Sequence, residues 1–397
     1  MPAFKIQAIR IVFICSSLEP GKDGVGDYTR KLACTLNNRG SEARIIAIND
    51  RRLNNASVWE GTQNDEGTKT EVLRLASVLT WNERVKTAKA WISNYNPDWV
   101  SLQYVPFGFH LKGLPFNLAN NLLQLSSHQR WHIMFHELSV NKDESLKFKI
   151  WSWLQVNIIK SLIKNLQPTI IHTNTELYKH RLKEMGFDAT VLPLFSNISS
   201  IETKNEDVYN NIIPSFIRLY QNDYLIGTLF GSFDCKRWDM RSLLNKFKPY
   251  SFNKKRAVLV SIGKMSSGVE CWEQLKLEYP QVIFLSLGEQ SSEFISHWLS
   301  GYTDFGILTT LPELAGKSGS FMAFKEHGIP VVCKEETASL RSFNLPVEKG
   351  LVEVTSAKEF QLPSKQKPVA QLQLVTNMFI TALEGAQLKT QNSLEID

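Results

Sequence analysis

The 397-residue sequence lacks the features that mark several common protein classes. Its five cysteines are scattered, odd in number and never spaced as C-x-x-C, which argues against a zinc site and a disulfide framework. No run of about 18 apolar residues occurs, so we expect no membrane-spanning helix. The apolar run at 11–15 is too short for a signal peptide. No Asp-x-Asp pair is present to demand a divalent metal.

Charge and composition are those of an ordinary globular protein. Lys and Arg total 45 and Asp and Glu total 39, a net charge of +6. This excess does not indicate nucleic acid; it suits an anionic small ligand or an anionic membrane surface. The length favours two domains. We expect a cytoplasmic protein, with peripheral contact at the inner face of the membrane as an open alternative.

Apolar runs alternate with helical patterns along the chain. Residues 9–15 are continuously apolar and rich in β-branched side chains, which indicates a strand buried on both faces of a parallel sheet. Strand–helix pairs recur up to residue 192 and restart at residue 224, which predicts an α/β fold with two Rossmann-like domains facing a central cleft. We place these domains at 1–200 and 201–368. A helix and tail at 369–397 is expected to pack back on the first domain.

One predicted helix, at 146–166, is basic. Its apolar side chains form one helical stripe, made of Trp151, Leu154, Ile158, Leu162 and Leu166. Its lysines are expected to face outward: Lys147, Lys149, Lys160 and Lys164. A membrane-surface helix fits this pattern, but the pattern favours an ordinary packed helix with a solvated basic face.

The first loop that could carry chemistry lies at 19–29, between the first strand and its helix. Gly24, Val25 and Gly26 would let the backbone approach a ligand closely, at a helix N-terminus that favours an anion. The spacing is not G-x-G-x-x-G. A tight strand–helix turn with Asp27 as the helix cap fits equally well.

Two further charged pairs follow predicted strands, and the carboxyl ends of strands in open α/β sheets are where ligands bind. His136 and Glu137 come directly after the strand at 131–135, where they could serve as an acid or base or be structural. Lys236 and Arg237 follow the strand at 224–229. An ammonium and a guanidinium fork suit a diphosphate, although a solvated basic turn has the same composition.

The fourth loop, at 312–320, runs into a predicted helix. Its small residues would form an anion seat with backbone donors at the helix N-terminus. Gly-Lys-Ser is present, but the position five before Gly316 is Leu311, so the loop is not a Walker A motif. Its candidate side chains and backbone groups are Glu313, Lys317, Ser318, Gly319 and Ser320.

Taken in order, these loops resemble those of glycosyltransferase family 4 and related GT-B enzymes, over roughly residues 9–335. Each motif is weakly specific, but their ordered set is specific. The matching segments are 24–29, 102–106, 135–138, 193–198, 229–233, 287–289, 300–308 and 328–332.

The resemblance implies a metal-independent hexosyl- or related glycosyltransferase of polysaccharide biosynthesis that needs no cofactor. It would move a sugar from a nucleotide-diphosphate sugar to a glycan, lipid-linked or small-molecule acceptor, with retention. Residues 1–200 would be the acceptor side and residues 201–368 the nucleotide-sugar side. Implied catalytic residues are His136 and Glu137; acceptor residues are Asp27, Tyr28, Gln103 and Tyr104; donor residues are Gly24, Val25, Gly26, Lys236, Arg237, Glu289, Glu313, Lys317, Ser318, Gly319 and Ser320.

The sequence departs from the family at one pair of positions. Many members carry two glutamates eight residues apart, where this chain has Ala315 and Ala323, and Glu313 is displaced by two. A subset of relatives instead carries a loop like that at 317–320. A nucleotide-sugar epimerase or hydrolase of the same fold, and a non-catalytic nucleotide-sugar-binding protein, therefore stay open as alternatives.

Overall fold

The computed structural model describes residues 8–126, 128–138, 146–200, 206–231, 233, 235, 238, 240–246, 255–334, 348, 350–354 and 361–394. The chain divides into two compact units. Unit 1 comprises Met1–Asn174, Tyr178–Pro193 and Leu374–Asp397, and unit 2 comprises Thr175–Leu177 and Leu194–Gln373.

Unit 1 is built on an eight-stranded sheet in the order β3-β4-β2-β1-β5-β6-β7-β8. Every neighbouring pair is parallel except β3 and β4. The central strands are buried along almost their whole length, as their unbroken apolar runs predict. The strands are β1 (Arg10–Cys15), β2 (Glu42–Asp50), β3 (Val58–Asp65), β4 (Thr68–Ala76), β5 (Trp99–Tyr104), β6 (Arg130–Phe135), β7 (Ile170–Thr173) and β8 (Thr190–Val191).

Helices connect these strands, and a last helix returns to the same unit. They are α1 (Gly24–Asn38), α2 (Trp81–Tyr95), α3 (Pro106–Phe109), α4 (Leu118–Leu123), α5 (Leu146–Leu166) and α6 (Glu176–Glu184). The C-terminal helix, α12 (Gln371–Leu394), places Phe379 against Phe13, His132 and His172. Most of α12 therefore belongs to unit 1.

The hairpin β3–β4 lies between β2 and α2 in the chain. Its two-residue turn, Glu66-Gly67, has positive φ at both residues, 46° and 87°, as a type I′ hairpin turn requires. Strand β3 alternates exposed and half-buried residues, which is typical of an edge strand. The alternation and the Glu-Gly pair are the local signals for this hairpin.

Unit 2 contains a six-stranded parallel sheet in the order β11-β10-β9-β12-β13-β14. The strands are β9 (Tyr224–Phe230), β10 (Arg256–Ile262), β11 (Ile283–Ser286), β12 (Phe305–Leu308), β13 (Val331–Lys334) and β14 (Leu351–Val354). The helices are α7 (Ser215–Tyr220), α8 (Arg241–Leu244), α9 (Val269–Glu278), α10 (Ser292–Gly301) and α11 (Gly319–Glu326). Short 3₁₀ helices lie at Glu206–Tyr209, Gln221–Asp223, Ser266–Gly268 and Pro312–Lys317.

The predicted α/β class with two parallel-sheet domains is confirmed. Among the strands described, the sequence did not predict the hairpin or β14. None of the described helices is both long and apolar enough to cross a bilayer.

The cysteines divide into two groups. Cys15, Cys34 and Cys333 are free and buried, and burial raises the pKa of all three thiols, to about 11 for Cys34 and about 12 for Cys333. Cys235 and Cys271 form a disulfide in unit 2, which the spacing of the cysteines did not predict.

Candidate functional site

The candidate site in unit 1 lies at the carboxyl edge of its sheet. Strands β1, β5, β6 and β7 are consecutive parallel neighbours, so their last residues reach the same edge. His136 directly follows β6, and its N–H donates to the Tyr104 carbonyl at the end of β5 (3.0 Å). Asn174 directly follows β7, and its Nδ2 donates to the His136 carbonyl (3.1 Å). Backbone pairing thus continues one residue beyond the strands and holds His136 in place.

The imidazole of His136 is buried and held by Gln103. Gln103 Nε2 donates to Ser101 Oγ (2.8 Å), so Gln103 Oε1 is the atom that faces His136 Nε2 (2.9 Å). His136 Nε2 must then carry the proton and donate. Burial lowers the pKa of His136 to about 3, so the ring is neutral near pH 7. Nδ1 is then the unprotonated nitrogen, a hydrogen-bond acceptor.

The network continues inward through two more histidines. Ser101 Oγ lies 2.7 Å from His132 Nδ1, and His132 Nε2 lies 3.1 Å from His172 Nδ1. All four members beyond His136, that is Gln103, Ser101, His132 and His172, are buried. A buried polar chain is stable only when its members are paired, so it fixes the orientation of Gln103 and, through Gln103, of His136.

Three further predicted site residues are Tyr28, Tyr104 and Glu137, and of these Tyr28 contacts the imidazole of His136. Tyr28, on α1, sets its ring edge-on to the imidazole, with 5.0 Å between ring centroids. Tyr104 is fully buried between Phe109 and Phe135, and its hydroxyl has no hydrogen-bond partner among the described residues. Glu137 is half-buried. Burial raises the pKa of both tyrosines, so neither is an acid near pH 7.

The buried side chains of Gln103 and Tyr104 lie inside β5, not in a loop. The amide nitrogen of Gln103 donates to Ser101, and its amide oxygen accepts from His136. Its position in the structure is therefore that of a residue that orients His136.

The glycine-rich loop leads into α1, which begins at Gly24 and not at Asp27. Asp23 is the N-cap: its carboxylate accepts the Gly26 N–H (2.8 Å). Gly26 packs against the end of β1, since a Cβ there would lie 2.5 Å from the Ser17 carbonyl oxygen. A Cβ at Gly24 would meet no atom within 4 Å. The packing at position 26 thus excludes any larger side chain. Position 24 has room for one at the start of the helix.

The alternative in which Asp27 caps α1 is wrong. Asp27 lies in the first turn, accepts the Gly21 N–H (3.0 Å) and pairs with Arg30. The carboxylate of Asp27 therefore stabilises the loop through contacts inside it. Val25, two residues earlier, is half-buried.

Asp50 also braces this loop, and the sequence did not assign it a role. It is the last residue of β2 and is buried. Its carboxylate accepts from Ser17 Oγ (2.9 Å), from the Leu18 N–H (3.3 Å) and from Arg74 Nε (2.7 Å). Arg74 in turn binds Glu19 (2.7 Å). One buried ion pair thus ties β2 and β4 to the loop that follows β1.

Asn174 is a site residue that sequence reasoning missed. It is buried beside His136, and its Oδ1 has no hydrogen-bond partner among the described residues. A buried acceptor without a partner costs free energy, so a ligand donor at this edge would satisfy it. The local signal was a polar residue directly after a predicted strand, the same signal that singled out His136.

The carboxyl edge of the unit 2 sheet is lined by bare backbone. Gly231, Gly263 and Gly288 follow β9, β10 and β11, and their φ angles are 100°, 106° and 67°. Gly263 N–H donates to the Gly288 carbonyl (2.7 Å), and a Cβ on Gly263 would come within 3.4 Å of the Gly231 Cα. Three neighbouring turns therefore form one floor without side chains, here called the glycine floor. Such a floor lets a ligand contact the backbone directly.

Charged side chains border the glycine floor. Glu289 follows Gly288, and its carboxylate lies 3.2 Å from the ammonium of Lys264, which follows Gly263. Lys264 was not among the predicted site residues, although Gly263-Lys264 follows a predicted strand. Lys236 and Arg237 lie outside the described residues.

The loop at 312–320 forms a 3₁₀ helix, Pro312–Lys317, followed by α11. Ser318 is the N-cap of α11: its Oγ accepts the Phe321 N–H (3.3 Å) and lies 3.0 Å from Ser320 Oγ. Gly319 is exposed and Lys317 is half-buried. The carboxylate oxygens of Glu313 are inaccessible to solvent, and this charge contributes to raising the pKa of the Cys333 thiol.

Ala315 and Ala323, where the resemblance to glycosyltransferase family 4 would place two glutamates, are fully buried in the apolar core of unit 2. A carboxylate at either position would enter that core unpaired. The packing of unit 2 thus requires small apolar side chains at these two positions. Among the described residues, no group of His, Cys, Asp and Glu is arranged to hold a metal ion.

Comparison with known proteins shows similarity in structure alone. No family model and no curated protein matches the sequence. A UDP-forming α,α-trehalose-phosphate synthase from Burkholderia xenovorans aligns over 95% of this chain and 96% of its own, with TM-score 0.56 and 8% identity. The E. coli structure described as trehalose-6-phosphate bound with UDP-2-fluoro glucose aligns over 97% and 98%, with TM-score 0.52 and 9% identity.

The lipopolysaccharide outer core galactosyltransferase WaaB aligns over 92% of this chain and 88% of its own, with TM-score 0.52 and 14% identity. At identities this low, the likeness concerns the fold. The chain therefore has the two-unit, parallel-sheet GT-B fold of these glycosyltransferases.

Proposed function

We propose that this chain is a glycosyltransferase that moves a hexosyl or related sugar from a nucleotide-diphosphate sugar to a glycan, lipid-linked or small-molecule acceptor. The observation that carries the proposal is the neutral His136, held by Gln103 at the carboxyl edge of a parallel sheet. A neutral imidazole with a fixed unprotonated nitrogen can accept a hydrogen bond from a sugar hydroxyl. The aligned structures support the substrate class, because one is UDP-forming and another holds UDP-2-fluoro glucose.

The donor is proposed to bind unit 2. The glycine floor would let the nucleotide diphosphate approach the backbone, and the N-terminus of α11 would face the charge that develops on the leaving diphosphate. Lys317, Ser318, Gly319, Ser320, Lys236 and Arg237 are the proposed phosphate contacts; Glu289 and Glu313 are proposed donor contacts. We further propose retention of configuration and a place in cytoplasmic polysaccharide biosynthesis, as the resemblance to glycosyltransferase family 4 implies.

A thermal-shift screen of UDP, ADP, GDP and their sugars tests donor binding. A ligand at 100 times its dissociation constant adds about 2.7 kcal/mol to the free energy of unfolding of the unit that binds it, so the melting temperature should rise with one nucleotide series. The matching nucleosides, without phosphates, should shift it much less. Absence of any shift at millimolar ligand contradicts the proposal.

Turnover separates the proposed function from its alternatives. We expect nucleoside diphosphate to be released only when an acceptor is present. Release without an acceptor would identify a hydrolase, and interconversion of the sugar would identify an epimerase. Donor binding without release against any acceptor would identify a binding protein.

A further inference from the structure

Helix α5 has an outward face that its sequence pattern did not reveal. The helix buries one stripe, formed by Gln155, Ile158, Ile159, Leu162, Ile163 and Leu166. Trp153 lies roughly opposite Gln155 on the helix, since two residues correspond to about 200° of rotation. Ile150 lies one turn before Trp153 on the same outward face. Two large apolar side chains therefore point away from the core.

The loop before α4 lies on the side of α5 opposite Trp153. Trp151 Nε1 donates to the Lys112 carbonyl (3.1 Å) and Gln155 Nε2 to the Gly113 carbonyl (3.1 Å), so the loop lies against the first turns of α5. His110 Nδ1 accepts the Lys112 and Leu114 N–H groups (3.3 and 3.2 Å), which folds the loop into a defined turn.

Four large apolar side chains are exposed on this loop and helix. The exposed fractions are 78% for Leu111, 57% for Phe116, 59% for Ile150 and 64% for Trp153. Ile150 and Trp153 lie on one side of α5 with Lys149, which is also exposed, and these three residues are here called the Trp153 surface. Neighbouring exposed apolar side chains of this size, unlike single ones, indicate an interaction site.

The charge around the Trp153 surface has one sign. Helix α5 contains four lysines and no aspartate or glutamate over its 21 residues. Lys149 and Lys164 are exposed on the same side of the helix as Trp153. Tryptophan with aliphatic side chains amid lysines on one helix face is the composition that binds the interface of an anionic bilayer. A neutral or cationic partner would not use the lysines.

We propose that the Trp153 surface docks unit 1 on an anionic lipid bilayer. Trp153 and Ile150 enter the headgroup region, and the lysines contact lipid phosphates. Because the docking uses only exposed side chains, it requires neither the nucleotide sugar nor His136. The proposal therefore stands or falls apart from the proposed transferase activity.

Cosedimentation of the full-length protein with vesicles tests the docking. We expect binding to phosphatidylcholine vesicles that contain about one third phosphatidylglycerol, and little binding to pure phosphatidylcholine, because the lysines require anionic lipid. The double variant Ile150→Ser/Trp153→Ser and the single variant Lys149→Glu should each lower the apparent partition coefficient by about tenfold. The partition coefficient should also fall with added salt.

Leu277→Ser is the matched control, because Leu277 is an equally large apolar residue that is 82% exposed on α9, in unit 2. This variant should bind vesicles as the unchanged protein does. All variants replace exposed side chains and should keep the melting temperature. Absence of binding to anionic vesicles, or unchanged binding by both test variants, would overturn the proposal. Self-association without lipid that Ile150→Ser/Trp153→Ser abolishes would overturn it as well, since a second copy would then be the partner.

Discussion

At the scale of single residues, Gly24 and Gly26 belong to one motif but differ in how closely the surrounding atoms pack against them. A Cβ on Gly26 would lie 2.5 Å from the Ser17 carbonyl oxygen, whereas one on Gly24 would meet no atom within 4 Å. We expect Gly26→Ala to lower the free energy of unfolding by about 1–3 kcal/mol, because the backbone of the loop must shift.

Gly24→Ala is the matched variant and should leave the denaturation midpoint nearly unchanged. If the loop binds the donor, Gly24→Ala should weaken nucleoside-diphosphate binding in a thermal-shift titration while the protein stays folded. Equal destabilisation by the two substitutions would contradict the packing role assigned to Gly26.

His136 is the residue on which the chemistry depends. Its neutral ring is held through Nε2, so Nδ1 can act on the substrate. We expect His136→Ala to lower kcat by about 10²–10³-fold with a much smaller change in the KM for the donor, since the contact is strongest in the transition state.

Steady-state kinetics against His128→Ala, which removes an exposed histidine of unit 1, provides the comparison. Gln103→Leu should reproduce part of the kcat loss by releasing the imidazole. If folded His136→Ala keeps near-native turnover, His136 is a structural residue.

At the scale of secondary-structure elements, two ion pairs join β2 to β4 at different depths. Asp50 and Arg74 are buried, whereas Arg44 and Glu71 are partly exposed. We expect Asp50→Asn to lower the free energy of unfolding by about 3–5 kcal/mol, because it leaves a buried guanidinium without its main partner. Glu71→Gln should cost less than about 1 kcal/mol. Urea denaturation of both variants measures the contrast, and similar losses would refute it.

The three buried histidines across β6, β7 and the loop after β6 make stability depend on pH. Burial lowers the pKa of His136 to about 3 and of His172 to about 4, and lowers that of His132 well below its usual 6.5. Below pH 6.5 the unfolded chain binds protons that the folded chain does not, so stability is present above pH 6.5 and is lost as pH falls. Each histidine contributes a slope of about 1.4 kcal/mol per pH unit.

We therefore expect the urea midpoint of unit 1 to fall steeply from pH 6.5 to pH 5, a range above the usual pKa of carboxylates. His172→Gln removes one titrating ring, so its midpoint should depend less on pH than that of the unchanged protein. A urea midpoint that stays constant over this range would show that the folded chain binds as many protons at these histidines as the unfolded chain does.

At the scale of the whole molecule, we predict that transfer needs no divalent ion for the chemical step. The sequence has no Asp-x-Asp pair, and lysines, arginine and a helix N-terminus are the proposed partners of the diphosphate. Product formation should persist after exhaustive chelation. A complete loss of activity that only magnesium or manganese restores would refute this prediction.

Most central strands of both sheets were predictable from the sequence, because a strand that is buried on both faces has an unbroken apolar run. The prediction for β6, residues 131–135, differs from Arg130–Phe135 by one residue. The hairpin β3–β4 was missed because an edge strand is apolar on one side at most, so its local pattern resembles a loop. His136 was found from its position after a strand, but Asn174 in the equivalent position was passed over.

The sequence by itself determined the α/β class, most central strands and the positions after them where polar residues could act. These features depend on local periodicity, which each segment carries alone. Only the tertiary structure decided that Gln103 orients His136, that Asp50 holds the glycine-rich loop through Arg74, and that Trp153 points outward. Such roles depend on strand register and on packing between segments distant in the chain, and neighbouring residues in the sequence do not specify them.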